Sequence, residues 1–386
     1  MYHIQTLNKI SPAGLRCFPS NAYQYGDEVK DPDAILVRSA PVAEKDLADN
    51  LLCIARAGAG VNNIPVEKCS EQGIVVFNTP GANANAVKEL VIAMMILTSR
   101  KIIPAVRWTQ ELRDRKTEIP ALVEKGKGAF VGPEIAGKRL GVIGLGAIGI
   151  LVANAADALG MEVLGYDPYL SVESAWQLSR SVKPAQNLQK LFETCDFITV
   201  HVPLTKDTSE MIRAESIAHM KDGVRILNFA RGDLVVAADI LAALQSGKIA
   251  AYATDFPTEE LLGAEGVIVT PHLGASTPES EDNCAQMAVE EIIDFLENGN
   301  IKHSVNLPEA VMPRAGEARV CVIHKNIPNM LAQISGAVSQ SNINIENMLN
   351  KSKKDAAYTM LDIDGDAKSA AAAIAKVDGV IRVRVI

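Results

Sequence analysis

Three glycines in the segment LGVIGLGAIG have a spacing that suits the binding of a phosphate group. Gly144, Gly146 and Gly149 form a Gly-x-Gly-x-x-Gly pattern between an apolar run and a helical stretch. Gly144 permits a tight turn, Gly146 lets backbone N–H groups approach a pyrophosphate at the helix N-terminus, and Gly149 allows close packing of helix on strand. The pattern predicts a dinucleotide site, with Ala147 and Ile148 as further contacts.

An acidic residue at the end of the next apolar run indicates which dinucleotide is bound. Asp167 ends the run MEVLGYD, eighteen residues after Gly149. A carboxylate at this position accepts hydrogen bonds from the ribose 2′-hydroxyl of NAD and repels the 2′-phosphate of NADP. NAD is therefore the predicted cofactor.

Three later apolar runs end in residues that suit acid–base chemistry. They lead to Arg231 in ILNFARGDLV, to Glu259 and Glu260 in TDFPTEELLG, and to His272 in VTPHLGAST. Open α/β sheets bind ligands beyond the carboxyl ends of their strands, so these side chains are expected close together. A histidine can take a hydroxyl proton near neutral pH, a carboxylate stabilises the protonated ring, and an arginine binds a substrate carboxylate through two hydrogen bonds.

A large ordered protein is needed to position these residues, and the composition is that of one. The chain has 386 residues, 48% hydrophobic and 22% charged, which argues against disorder and predicts two or three domains. Its net charge of −8 argues against a nucleic-acid or anionic-membrane binder. Because there is no apolar run of membrane-span length, no signal-peptide pattern and no paired cysteine motif, we expect a cytoplasmic protein without a metal site.

The pattern of elements predicts an α/β fold with two Rossmann-like parallel-sheet domains and a smaller C-terminal domain. We expect a substrate-binding domain at 1–98 and 285–308, and an NAD-binding Rossmann domain at 99–284. The Pro-, Gly- and Ala-rich stretch between residues 306 and 318 predicts a linker. After it, residues 316–386 follow the order β-α-β-β-α-β, which is typical of a ferredoxin-like domain.

Several blocks of the sequence resemble the D-isomer-specific 2-hydroxyacid dehydrogenase family. They are HVPLTKDTS, MKDGVRILNFARGDLV and TPHLGAST, together with RAGAGVNNI and NTPGANANAVKELVIAMM in the N-terminal part. The resemblance implies hydride transfer between a 2-hydroxy acid and NAD, with Arg231 as the substrate-binding cation and His272 as the acid/base. Aligning on Phe-Pro-Thr selects Glu259 as the carboxylate paired with the base, which we predict, whereas counting from Asp255 selects Glu260.

The same resemblance implies a set of binding residues. Asp255 and the backbone around Ala230 are expected to hold the nicotinamide amide. The further cofactor contacts are His201, Pro203 and Thr208, with no proton transfer assigned to His201. The expected substrate contacts are Arg38, Ser39, Arg56, Gly58, Ala59, Gly60 and Asn83.

The C-terminal residues resemble an ACT domain, an effector-binding unit of amino-acid biosynthetic enzymes. This resemblance implies a phosphorylated 2-hydroxy acid as the small-molecule substrate and L-serine as an effector. It implies effector contacts from His324, Asn326 and Asn344, since Asn side chains both donate and accept hydrogen bonds to a zwitterion. The competing interpretation is a domain that only mediates dimerisation; a homodimer or homotetramer is expected in either case.

Two other functions stay open. A glyoxylate or hydroxypyruvate reductase would carry the same catalytic residues and differ in substrate. A regulator that senses NAD and binds another protein would need no acid/base pair, so the presence of Arg231, an acid and His272 together argues against it.

Overall fold

The computed structural model describes residues 1–340 and 342–386, and the strands in these ranges form three sheets. The first sheet is parallel and has the order β2-β1-β3-β4-β5. Its strands are β1 (Tyr2–Leu7), β2 (Tyr23–Gly26), β3 (Ala34–Val37), β4 (Cys53–Arg56) and β5 (Val75–Asn78). The short helices α1 (Pro12–Leu15) and α2 (Val66–Glu71) connect them. The run AILV of β3 is wholly buried, as a strand covered on both faces should be.

The second sheet is also parallel, with the order β12-β11-β10-β9-β6-β7-β8. Its strands are β6 (Arg139–Ile143), β7 (Glu162–Tyr166), β8 (Lys183–Pro184), β9 (Phe197–Val200), β10 (Val224–Asn228), β11 (Ile249–Thr254) and β12 (Val267–Val269). The chain order reverses between β6 and β9, and ligands of such sheets bind where these two strands end.

Eight α-helices belong to the same part of the chain. They are α3 (Ala84–Ser99), α4 (Ile102–Glu111), α5 (Ile119–Gly126), α6 (Ala147–Ala158), α7 (Val172–Trp176), α8 (Leu188–Thr194), α9 (Ala214–Ala218) and α10 (Ala237–Gln245). Short 3₁₀ helices occupy Glu44–Asp46, Arg113–Glu118, Lys127–Phe130 and Gly232–Leu234.

The helix α3 belongs with the second sheet, which differs from the predicted domain boundaries. The chain divides into one compact unit of 1–83 and 278–386 and another of 84–277. The predicted boundary near residue 98 placed this helix in the substrate-binding domain instead. The reason for the difference is packing, because Val87, Val91 and Met95 of α3 share a hydrophobic core with Val152 and Ala153 of α6.

The long helix α11 (Pro278–Asn298) follows the second sheet and packs in the unit of the first. Its buried apolar residues recur at helical spacing from Cys284 to Leu296. Glu279 and Glu281 in its first turn complement the helix dipole. Gly299, with φ of 72°, ends the helix in the left-handed conformation that glycine adopts readily.

The third sheet is antiparallel and has the order β14-β15-β13-β16. It consists of β13 (Ala318–Lys325), β14 (Asn344–Lys353), β15 (Ala356–Asp364) and β16 (Val380–Val385), backed by α12 (Met330–Gln340) and α13 (Ala367–Ile374). The chain order of these elements is the predicted β-α-β-β-α-β.

The segment predicted as a linker is packed rather than extended. Leu307, Ala310 and Met312 are buried, and Ala310 pairs with Ile301 in a β-bridge. The side chain of Arg319 is fully buried and donates to the carbonyls of Asn298, Met312 and Pro313. These hydrogen bonds cannot be predicted from the composition of the segment, because their donor, Arg319, lies outside it on β13.

The described ranges contain no helix whose length and apolarity would let it cross a bilayer.

Candidate active site

The predicted glycine turn joins β6 to α6 and brings two strand ends together. Gly144 has φ of 90°, and a Cβ there would lie 2.6 Å from the carbonyl oxygen of His201, which follows β9. A Cβ on Gly149 would lie 1.9 Å from the Gly144 oxygen. Gly146 caps α6, and a Cβ there would meet only open space. These positions leave the helix N-terminus free for a pyrophosphate, with Ala147 and Ile148 in its first turn.

The carboxylate of Asp167 lies beside this turn. Its Oδ2 accepts a hydrogen bond from the backbone N–H of Leu145 at 2.9 Å, and its Oδ1 accepts one from that of Tyr169 at 2.8 Å. The two bonds fix the carboxylate, and each oxygen retains a lone pair for a ribose hydroxyl.

His201 is half-buried, and its imidazole is neutral near pH 7. Burial lowers the pKa of its imidazole to about 4, since the surroundings disfavour the charged form. Its Nε2 lies 2.9 Å from the hydroxyl oxygen of Thr199, and its buried Nδ1 has no hydrogen-bond partner in the described ranges. Thr208 closes the following loop, since its hydroxyl donates to the Pro203 carbonyl at 2.6 Å.

The turn that carries Arg231 is held by a buried asparagine. Asn228, the last residue of β10, is fully buried. Its Nδ2 donates to the Arg231 carbonyl at 2.8 Å, and its Oδ1 accepts from the Ala230 N–H at 3.2 Å. The Arg231 side chain is exposed, and its guanidinium donates to the Ala230 carbonyl. The sequence analysis missed Asn228, although an Asn that ends an apolar run is a signal for such a turn.

Asp255 and His272 form a compact pair at the ends of β11 and β12. The backbone N–H of His272 donates to the Asp255 carbonyl at 3.0 Å, and His272 has the unusual φ of 28°. Its ring packs edge-on against Phe256, with centroids 5.2 Å apart. Oδ2 of Asp255 accepts from the Gly274 N–H at 3.2 Å.

The second carboxylate oxygen of Asp255 is buried and has no hydrogen-bond partner among residues 1–340 and 342–386. Burial raises the pKa of this carboxyl, while the charges of His272 and Arg231 act in the opposite direction. An unpaired buried acceptor is costly, so it fits an amide donor such as that of nicotinamide.

The pairing of Glu259 with His272 stays a prediction. Glu259 and Glu260 are both exposed, and in the described part of the chain neither makes a hydrogen bond or ion pair with His272. His272 lies close enough to Asp255 for its charge to oppose the effect of burial on the pKa of that carboxyl. The acids differ because both glutamates stand on the exposed loop beyond β11, whereas Asp255 directly follows the last residue of that strand.

Most of the expected substrate residues of the N-terminal part lie on the loops that follow β3 and β4. Arg56 is the last residue of β4, and Asn83 directly precedes α3. The Arg56 guanidinium donates to the carbonyls of Arg38 and Gly60, so it shapes the Gly58–Gly60 loop. Ala59 is held by the side chain of Asn78 at 2.6 Å. The backbone N–H of Ser39 donates to the side chain of Asn8 at 3.1 Å.

The second expected cation of this part, Arg38, forms an ion pair with Glu281 at 2.8 Å. Both expected cations therefore have internal partners, which residue type and spacing did not reveal.

The expected effector residues are not brought together within one chain. His324 is buried, with Nδ1 2.8 Å from the Lys325 carbonyl oxygen and Nε2 2.9 Å from the Thr359 hydroxyl. Asn326 directly follows β13, and the last residue of β13 pairs with Ala356, the first residue of β15. Asn344 pairs with Asp364, the last residue of β15. The two asparagines thus lie at opposite ends of β15.

Part of the second unit is similar to a known protein family. Residues 92–274 match the family model described as D-isomer specific 2-hydroxyacid dehydrogenase, NAD binding domain. This range contains the glycine turn, Asp167, Asp255 and His272. The predicted cofactor, NAD, is therefore confirmed.

Curated relatives extend the similarity over most of the chain. D-3-phosphoglycerate dehydrogenase of Methanocaldococcus jannaschii is 37% identical over 344 residues, which are 85% of this chain and 62% of the relative. The Bacillus subtilis protein of the same name is 35% identical over 326 residues, 80% of this chain and 59% of the relative. The chain thus spans about three fifths of the length of these relatives, and 51% of the human one.

Solved structures confirm the predicted α/β fold. The NAD⁺-bound 3-phosphoglycerate dehydrogenase of Entamoeba histolytica is 28% identical, with a TM-score of 0.61 over 79% of this chain and 98% of that one. A glyoxylate reductase from Paecilomyes thermophila is 25% identical, with a TM-score of 0.64 over 79% of this chain and 98% of that one.

Proposed function

We propose that this chain is an NAD-dependent D-2-hydroxyacid dehydrogenase that oxidises D-3-phosphoglycerate to 3-phosphohydroxypyruvate, the first step of L-serine biosynthesis. The curated relatives support this substrate, since D-3-phosphoglycerate dehydrogenases are 35–39% identical to the chain. The observation that carries the chemistry is the position of Arg231, Asp255 and His272, which follow the neighbouring strands β10, β11 and β12.

Each of the three residues has a distinct part in the proposed reaction. Arg231 binds the substrate carboxylate and so fixes the orientation of C2. His272 takes the hydroxyl proton as the C–O bond becomes a carbonyl. A carboxylate stabilises the imidazolium that forms. Glu259 is the predicted one, and Asp255 is the other acid near the ring. When bound, NAD accepts the hydride that leaves C2.

The residues of the second unit fit this cofactor. Gly144, Gly146 and Gly149 leave room for a pyrophosphate, and the fixed carboxylate of Asp167 can accept from a ribose. The unpaired Oδ1 of Asp255 can accept from the nicotinamide amide. In the first unit, the Gly58–Gly60 loop supplies backbone N–H groups for the substrate.

The test of this function is a spectrophotometric assay of phosphohydroxypyruvate reduction by NADH. We expect a higher kcat/KM for phosphohydroxypyruvate than for glyoxylate or hydroxypyruvate. A preference for the unphosphorylated acids would identify a glyoxylate or hydroxypyruvate reductase instead, which the similarity to a glyoxylate reductase structure makes the main alternative. NADH binding without reduction of any 2-oxo acid would indicate a regulator that senses NAD.

The proposal includes L-serine as an effector that binds between two copies of the chain. Because Asn326 and Asn344 lie at opposite ends of one sheet, a joint site requires the Asn344 end of a second C-terminal sheet. We expect L-serine to lower turnover in the same assay, and light scattering to give a dimer or tetramer. A monomer that does not respond to L-serine would contradict this part. The reaction is proposed for the cytoplasm, in keeping with six cysteines that all remain free thiols.

A further inference from the structure

A cleft with several hydrogen-bond donors lies within the first unit, between the β14–β15 hairpin and the segment that follows α11. We call it the lysine cleft. It has a volume of about 370 Å³, which falls in the range of small-molecule sites. Its lining residues are His303, Ser304, Pro308, Glu309, Lys351, Ser352 and Lys353. None of them belongs to the substrate, cofactor or effector residues discussed above.

The charges that face the cleft are mainly positive. Lys351 and Lys353 make no ion pair among residues 1–340 and 342–386, and Glu309 is the one acid in the lining. Nζ of Lys353 donates to the carbonyls of Ser304 at 3.0 Å and Val305 at 3.1 Å. An ammonium group has three donors, so one remains for a ligand. In a chain of net charge −8, two cations without ion-pair partners in one concave place attract anions.

His303 adds a ring nitrogen to the cleft, and a buried carboxyl fixes the orientation of the ring. Its Nδ1 lies 2.8 Å from Oε1 of Glu291, a side chain only 5% exposed. Burial, together with the charge of Glu290, raises the pKa of Glu291 to about 9, while Lys302 acts in the opposite direction. The contact with this carboxyl occupies Nδ1, so Nε2 is the ring nitrogen left for a ligand.

The backbone of His303 is also constrained. Its φ of 51° is a left-handed conformation that non-glycine residues adopt rarely, and surrounding contacts hold it there. The carbonyl of His303 faces the N–H of Asn78, whose side chain holds Ala59 in the expected substrate loop. Occupancy of the cleft would thus act on a segment that is bonded directly to β5.

We propose that the lysine cleft is a binding site for a small organic anion with phosphate or carboxylate groups. The ammonium groups of Lys351 and Lys353 bind the charge, while Nε2 of His303 and the hydroxyl of Ser352 complete its hydrogen bonds. Phosphate and carboxylate share these donors, and the two chemistries are separated by experiment. The proposal concerns binding alone and requires no turnover.

The test is acetylation of lysines in the full chain, followed residue by residue with mass spectrometry. The probes are inorganic phosphate and citrate, each added at an ionic strength matched with sodium chloride. We expect labelling of Lys351 to slow as a probe saturates, by about ten-fold at ten times its Kd. Lys376, an exposed lysine of the same C-terminal domain, is the internal control and should label at one rate throughout.

A variant tests whether the protection of Lys351 from acetylation comes from binding in the lysine cleft. His303→Asn removes Nε2 and retains a residue that tolerates positive φ. We expect it to reduce the protection of Lys351, while Lys376→Met leaves that protection unchanged. Protection by phosphate alone or by citrate alone would identify the preferred group and support the site. Equal labelling of Lys351 with and without both probes, or equal protection of Lys376, would overturn the proposal.

Discussion

At the scale of single residues, the candidate site combines exposed reactive groups with buried polar groups that fix their backbone. Arg231 and His272 are exposed, whereas Asn228 and Asp255 beneath them are almost wholly buried. The buried groups cost free energy unless they are paired, so their bonds to the Arg231 carbonyl and to Gly274 determine the shape of both turns.

Replacing the histidine should separate chemistry from cofactor binding. We expect His272→Ala to lower turnover by about 10²–10⁴, the usual contribution of a general acid–base group. NADH affinity, measured by fluorescence titration, should stay near that of the unaltered protein because the glycine turn is untouched. Turnover that survives this change would remove His272 from the mechanism.

The acid that assists His272 can be identified with three matched amides. Asp255→Asn should lower kcat at least about ten-fold, since it removes a buried carboxylate on which the charges of His272 and Arg231 both act. Glu259→Gln and Glu260→Gln should have smaller effects, because both side chains are exposed and unpaired with the ring in the described ranges. A larger loss in Glu259→Gln than in Asp255→Asn would identify Glu259 as the partner.

At the scale of elements, the join between β6 and α6 shows that glycines in one motif serve different purposes. Gly149 lies where the helix touches the turn, while Gly146 borders open space. Glycine is therefore required at position 149 by the fold and at position 146 by the ligand.

Alanine at these two positions should give opposite results. Gly149→Ala places a methyl group against the Gly144 carbonyl and should destabilise the protein by about 3 kcal/mol, measured by urea unfolding. Gly146→Ala has an ordinary φ of −80° and free space, so its stability should change by less than about 0.5 kcal/mol. Its NADH affinity should nevertheless fall about ten-fold or more, because the methyl group occupies the path of the pyrophosphate. Unchanged NADH affinity in Gly146→Ala would be inconsistent with a pyrophosphate at this helix end.

The helix α11 carries a buried glutamate that makes stability depend on pH. The pKa of Glu291 is about 9 in the folded state, above that of an exposed carboxyl, so the folded protein holds a proton that the unfolded chain releases. Its contribution to stability is present below the unfolded pKa and is lost as pH rises toward 9, at on the order of 1 kcal/mol per pH unit. Glu291→Gln keeps a hydrogen-bonding group for His303 and should flatten the dependence of Tm on pH between 6 and 8.5. A dependence as steep as in the unaltered protein would show that other groups cause it.

At the scale of the whole molecule, a buried ion pair attaches the C-terminal sheet to the segment that leads into it. Arg319 and Asp362 are fully buried, with Nε and Oδ1 2.6 Å apart, and they belong to the neighbouring strands β13 and β15. Asp362 also accepts from the backbone N–H of Ala315, and Arg319 satisfies three carbonyls between residues 298 and 313. The pair fixes the course of the chain between α11 and β13.

Loss of this arginine should be far more costly than loss of an exposed one. Arg319→Met leaves a buried carboxylate without its charge partner and should cost about 3–5 kcal/mol in unfolding free energy. Arg213→Met, which removes an exposed pair with Glu215, should cost at most about 1 kcal/mol. Comparable urea midpoints for the two variants would contradict the importance of the buried pair.

Local patterns of residue type were enough to predict several parts of this protein. Glycine spacing, runs of apolar residues and their polar ends predicted the parallel sheets, the NAD-binding turn, the β-α-β-β-α-β order and the strand-end positions of Arg231 and His272. Such features follow from the conformational freedom of glycine and from the burial of strands on both faces.

The contacts between distant polar groups became known from the three-dimensional fold. It paired Arg319 with Asp362 and His303 with Glu291, and it placed the backbone of His272 against that of Asp255. It also assigned α3 to the second sheet and folded the expected linker against α11. These outcomes depend on which strands become neighbours and on the free energy needed to bury each polar atom. Neither can be predicted from the order of residues within a single helix or strand.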